Sequence, residues 1–218
     1  VVGGRVIVTT WGGRVSMLDG WSTPLPGPSL GPPAAASGVV VASWEGGVLA
    51  FDAASGHVRW QRQFEGADTS APAVIGDLAV VVGGDRRAHG IDLSTGNDRW
   101  SIAMSGAGAP EAPPAVRGQR VALVDRLGHL VVADAHGHRL WSADGHGAVV
   151  RGAPVWVGDA VAMPLDDGRI MVARGHRPLF DDPPGRVSGA AAAGSSLIVA
   201  TREATTNGLF ELRREGRE

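Results

Sequence analysis

One sentence is written several times along this chain. Residues 39–60 read VVVASWEGGVLAFDAASGHVRW, residues 78–100 read LAVVVGGDRRAHGIDLSTGNDRW, and residues 120–141 read RVALVDRLGHLVVADAHGHRLW. Worn copies stand at 5–21 and 160–180. The first strand of each copy starts at Arg5, Val39, Leu78, Arg120, Ala160 and Leu197. The spacing is roughly 38 residues, the length of a four-stranded propeller blade. A unit this short cannot bury its own apolar face, so neighbouring copies must stack on one another. That constraint precedes every other reading of the sequence.

Each copy reads as short strands split by turns. Val39–Ser43 is one strand, Gly46-Gly47 a turn, and Val48–Asp52 a second strand with alternating faces. An Ala-Ser-Gly turn follows, then a strand ending on Trp60. A lead-in strand after a proline precedes the later copies at Pro72–Ile75, Pro114–Arg117 and Pro154–Val157. Proline at the first residue of a strand removes no ladder hydrogen bond. Gly76-Asp77 and Gly158-Asp159 read as two-residue hairpin turns. The proline-rich run Pro24–Pro33 has linker composition, but the next strand arrives on schedule at Val39, so it reads as a rigid surface connection.

These residues resemble the quinoprotein-like (PQQ-like) β-propeller repeat, whose units carry Gly-x-Leu-x-Ala-x-Asp, x-x-Thr-Gly and a Trp-bearing strand. GVLAFDAASGHVRW and AHGIDLSTGNDRW keep that pattern nearly intact. The resemblance covers almost the whole chain, strongly from 39 to 141. It implies an all-β fold, a β-propeller of about six short, mostly four-stranded antiparallel blades in one domain over 1–218. It points to the non-catalytic protein-interaction or ligand-sensing scaffold members, such as outer-membrane assembly lipoproteins or extracytoplasmic sensor domains, and hence to an extracytoplasmic location. The alternative within the family is a quinone-dependent dehydrogenase. Members of that class have eight blades, Ca²⁺ ligands, a catalytic Asp and often a vicinal Cys pair. This chain has no Cys and nothing that matches the Ca²⁺ ligands.

Composition agrees with many short strands and tight turns: 33 Gly and 14 Pro, with 19% charged residues. A formal net charge of −2 advertises no nucleic-acid face. No apolar run reaches the length of a spanning helix, and the opening residues do not read as a charged-then-apolar leader. The resemblance to the scaffold members implies a protein partner, unidentified by the sequence.

The residues that invite a chemical role have plainer readings. Trp60, Trp100 and Trp141 suit wedges between blades, each donating its indole N–H to a backbone carbonyl. Asp52, Asp92 and Asp134 form no carboxylate ring, since each precedes a turn whose N–H groups an Asx-type side chain accepts. His129, His136, His138 and His146 crowd the fourth copy, and His-x-His is a conceivable metal pair. His136 and His138 nevertheless fall in a turn, where polar residues belong. Arg86-Arg87 makes a small basic knob where other copies place the turn glycine. With His136 and His138 it is a candidate for surface contact. Asp166-Asp167 and Asp181-Asp182 read as turn acids. No catalytic, cofactor or metal residue is assigned.

The ends are expected to be worn. Arg174 replaces the repeat's Asp and Phe180 its Trp in copy five, and copy six stops before any Trp strand. Two explanations remain open: the N-terminal residues complete that blade, or further blades exist. The terminal sheet is expected to hold two or three strands.

Overall fold

The computed structural model describes residues 3–29, 31–106, 113–150, 152–181, 183, 186–193, 196–202 and 207–212. All its regular elements are strands, in six antiparallel sheets. Sheet one holds β1 (Ile7–Thr10), β2 (Arg14–Met17) and β3 (Ser22–Pro24). Sheet two holds β4 (Ala34–Ala36), β5 (Val39–Trp44), β6 (Gly47–Asp52) and β7 (Val58–Gln63). Sheet three holds β8 (Ala73–Ile75), β9 (Leu78–Val82), β10 (Arg87–Asp92) and β11 (Asp98–Ala103). Sheet four holds β12 (Ala115–Arg117), β13 (Arg120–Val124), β14 (His129–Asp134) and β15 (Arg139–Asp144). Sheet five holds β16 (Val155–Val157), β17 (Ala160–Pro164), β18 (Ile170–Arg174) and β19 (Arg177–Asp181). Sheet six holds β20 (Arg186–Ala193), β21 (Ser196–Arg202) and β22 (Asn207–Leu212).

Each sheet is an up-and-down meander with its strands in sequence order. The short first strands β4, β8, β12 and β16 touch one another in turn, so they form the inner rim and the Trp-bearing strands the outer one. Both faces of the middle strands are buried: β5 and β9 throughout, and β6 except at Asp52. Their near-continuous Val, Ala and Leu content is what burial on two faces requires.

The core is divided among the junctions. Val15, Val40 and Phe51 pack between sheets one and two. Val41, Val81 and Ile91 lie between two and three, and Val80, Leu123 and Val131 between three and four. Val132, Met163 and Met171 fill the next junction, and Ile170, Leu197 and Val199 the one after it. Every described sheet thus depends on its neighbour, as the repeat length demands.

Sheet one presents its other face to solvent. Val6, Val8 and Leu18 are 45%, 38% and 51% exposed, at the repeat positions where sheet two carries the buried Val40, Ala42 and Phe51. Sheet six has three strands within the described residues, and its first, β20, lies beside β16 and β17. The lead-in residues Val1-Val2 lie outside the described residues.

Copy five departs from expectation in register. In sheets two, three and four a β-bulge interrupts the pairing of the last two strands, opposite Trp60, Trp100 and Trp141. Sheet five pairs without any shift, and Val172 faces Leu179 where Val132 faces Trp141. Leu179, not Phe180, therefore occupies the tryptophan position. The cause is the shorter Arg174–Arg177 hairpin, which leaves no extra residue to form the bulge. Phe180 instead packs back into the junction of sheets four and five, beneath the Arg169 guanidinium at 4.7 Å.

Candidate interaction surfaces

The tryptophans are fastened forward. Trp60 Nε1 donates to Leu93 O at 2.8 Å, Trp100 Nε1 to Ala135 O at 3.0 Å, and Trp21 Nε1 to Ala53 O at 3.0 Å. Each acceptor follows the repeat Asp of the next sheet. Each ring also lies over that sheet's turn glycine: Trp21 on Gly56, Trp60 on Gly96, Trp100 on Gly137. A Cβ on Gly137 would sit 2.5 Å from Trp100 Cγ, and Gly137 has φ +83°, so both space and backbone require glycine. Trp100 also covers Gly90 on its own sheet, where a side chain would collide with the indole. Trp141 packs between sheets four and five, but Gly175 has open space where Gly137 has a ring.

The repeat aspartates bind their own turns. Asp52 Oδ1 accepts from Ser55 N at 2.9 Å and Oδ2 from Arg59 at 2.6 Å. Asp92 does the same with Ser94, Thr95 and Arg99. The Arg59 hydrogen bond, then Ser55, holds the Asp52 carboxyl well below the usual carboxylate range. For Asp92 the Ser94 hydroxyl and then Arg99 act in the same direction. Burial opposes ionisation of Asp134, but N–H and ring contacts from His138 outweigh it and leave the group lowered.

Two faces result from the meander. On one, the first and third hairpins of a sheet are tied together: Ala53 N donates to Gly38 O, Leu93 N to Asp77 O and Ala135 N to Gln119 O. On the other lie the middle hairpins and the sheet-to-sheet connections, joined by Phe64 N to Gly46 O and Met104 N to Arg86 O. His136 and His138 sit on the first face, exposed, with ring centroids 6.1 Å apart. His138 Nδ1 is 2.9 Å from Asp134 Oδ2. Arg86 and Arg87 sit on the second face; Arg86 takes φ +60° at the turn tip, and Arg87 donates to Ser101 Oγ. The four surface candidates are therefore not one site. Among the described residues no three His, Cys, Asp or Glu side chains converge on a metal-sized position.

Two buried polar knots escaped the sequence reading. Asp125, fully buried, accepts from Gly106 N at 2.6 Å and from the N–H groups of Leu127 and His129, and stands 2.9 Å from His129 Nδ1. His89 lies under Phe64 with its ring nitrogens 3.0 Å from Asp85 and 3.3 Å from Asp98. Asp98 in turn pairs with Arg62 of sheet two at 2.9 Å. Neither knot has a repeat counterpart, so no periodic signal marked it.

A succession of short three- and four-stranded meanders, bulged at the outer strand in sheets two to four and pinned by the forward-reaching indoles of sheets one to three, is a β-propeller of PQQ-like repeats. The family model described as outer membrane protein assembly factor BamB matches residues 1–109 and 44–178, and the chain belongs to that family. No curated protein matches the sequence. Among solved structures, BamB from Moraxella catarrhalis superposes with TM-score 0.74 at 18% identity, over 97% of this chain and 71% of that one. The computationally designed Ika8 protein gives 0.64 at 17%, over 78% and 54%. The mitotic checkpoint complex structure gives 0.70 at 14%, over 92% and 73%. At these identities the likeness is one of fold.

Proposed function

We propose that the chain is a non-catalytic scaffold of outer-membrane protein assembly, working on the extracytoplasmic side and holding a protein partner against its turn-covered faces. One observation carries this reading. The repeat's signature side chains are consumed by the frame: the indoles reach the next sheet, and the carboxylates of Asp52 and Asp92 are bound by their own turns. What remains outward is loop surface on a rigid support, where binding is usually placed. Family membership supports the same role.

The test has two arms. Cross-linking from cysteines placed singly at Ser55, His136 and Arg86, in cells, should recover one discrete partner from at least one face. Titration with PQQ and Ca²⁺, read by absorbance and dye-linked alcohol oxidation, should give neither binding nor turnover. Turnover would replace the scaffold reading with the dehydrogenase one, and the absence of any discrete cross-link would refute partner binding through these loops.

A further inference from the structure

Sheet five reverses the charge of the repeat. At the position of Asp52, Asp92 and Asp134 it carries Arg174, on the same face and beside the hairpin of Asp159. Three guanidinium groups share that one carboxylate: Arg120 at 2.9 Å, Arg117 at 3.7 Å and Arg174 at 3.9 Å. Arg177 is the cross-strand partner of Arg174, so two like charges stand directly opposite each other. Arg120 is set in place by the Trp156 ring, 5.3 Å from its guanidinium carbon, and that indole is itself fixed to Ala115 O at 3.0 Å.

The contrast with sheets two and three is the informative part. There Arg59, Arg62 and Arg99 each donate hydrogen bonds to a carboxylate. Among the described residues the side chains of Arg117, Arg174 and Arg177 donate none, and Arg177 has no ion pair. Arg117 and Arg174 side chains are 44% and 60% exposed. Four arginines thus meet at one rim of a chain whose net charge is −2, against Asp159 and against Asp134, which stands cross-strand from Arg120 but is bound by its own turn. The Arg120 contact, with Arg117 and Arg174 behind it, keeps the Asp159 carboxyl ionised below its ordinary range.

We infer that this rim is the docking surface for an acidic, extended segment of a protein partner. The inference rests on the scaffold reading above and gives the partner its chemistry. Guanidinium forks match carboxylates edge to edge. A compact polyanion such as phosphate would crowd against Asp159 at the centre. Separate carboxylates along a strand straddle it, meeting Arg117 on one side and the Arg174–Arg177 pair on the other.

The probe is a fluorescein-labelled peptide of alternating Glu and Ser, followed by anisotropy at about 20 mM and about 300 mM salt, since exposed charge contacts are screened over that range. Wild type should bind, more weakly at the higher salt. Arg174→Asp, which installs the acid that sheets two to four carry, should lower affinity about tenfold or more. Arg177→Ser should lower it severalfold, and Arg59→Ala should leave it unchanged. Circular dichroism and urea midpoints check the fold of each variant. Arginine Nε–H signals of the wild type give a readout free of mutation, and those of Arg117, Arg174 and Arg177 should move on titration. The inference falls if the peptide does not bind or binds the variants as it binds wild type. It falls also if inorganic pyrophosphate or phosphatidylglycerol vesicles bind through these arginines while the peptide does not. A partner still cross-linked through the loops in that case would leave the scaffold reading standing.

Discussion

Removing the indole of Trp100 is the most direct test of how the sheets are held together. The ring bridges sheets three and four, lies on Gly90 and Gly137, and packs against the cluster of Val80, Leu123 and Val131. Truncation of a large buried aromatic costs about 3–5 kcal/mol. Trp100 is only partly buried, so about 3 kcal/mol is expected for Trp100→Ala. Of this, about 1 kcal/mol belongs to the Nε1–Ala135 O hydrogen bond, which Trp100→Phe removes together with part of the ring's packing. A cycle with Gly137→Ala separates contact from general damage. In the wild-type background the new methyl meets the ring and a positive φ; without the ring only the φ cost, about 1–2 kcal/mol, remains. The two changes together should therefore be less harmful than their sum by about 1–2 kcal/mol. Urea unfolding by far-UV circular dichroism and by gel filtration, with coincident midpoints, gives the numbers. Additive losses, or a Trp100→Ala cost below about 1 kcal/mol, would refute the docking argument.

Trp21, in the worn first copy, makes the same hydrogen bond as Trp100 and stacks on Phe51, so Trp21→Ala should also cost about 3 kcal/mol in the same melts. Asp52 and Asp92 have folded-state pKa values depressed below their unfolded ones. Their contribution is therefore full above the ordinary carboxylate pKa of about 3.9 and is lost as pH falls through and below it. The urea midpoint should decline from pH 6 towards pH 3, and less steeply in Asp92→Asn, with an unchanged slope refuting the assignment. Asp125→Ala strips the acceptor from three backbone N–H groups and should cost about 2–4 kcal/mol, with faster hydrogen exchange at Gly106. Leu18→Ser, on the exposed face of sheet one, should change stability by less than about 0.5 kcal/mol, whereas Phe51→Ser at the matching buried position should cost several.

The fold was legible because burial and periodicity agree. Val39, Leu78, Arg120 and Ala160, read as strand starts, are the first residues of β5, β9, β13 and β17. The interior demands apolar residues at fixed intervals, and that demand is written in the sequence. The eight-residue β20 was not read, because Arg186–Ala193 is a run of small residues with no alternation. The tryptophan position of sheet five was misassigned for a related reason: spacing shows how many residues lie between two landmarks, not whether a bulge absorbs one of them. The surface is harder still. Arg86, Arg87, His136 and His138 stood out as local clusters, yet the topology sends them to opposite faces. Arg117, Arg120, Arg174 and Arg177 are scattered over sixty positions and were joined only by folding. Arg174 alone left a trace, as an arginine where the repeat keeps an acid.

The repeat indoles of Trp21, Trp60 and Trp100 all reach forward, and this direction has a consequence for how such a chain grows. A single repeat carries both the hook, at the end of its outer strand, and the eye, the carbonyl and bare glycine of its own last turn. A duplicated unit therefore arrives with both halves of the fastening and fits between any two existing units without a new interface being invented. Where an eye decays, as at Gly175, the preceding hook keeps its apolar packing and loses only its catch. The turn so relieved is free to change sign, and in this chain it has become the arginine rim.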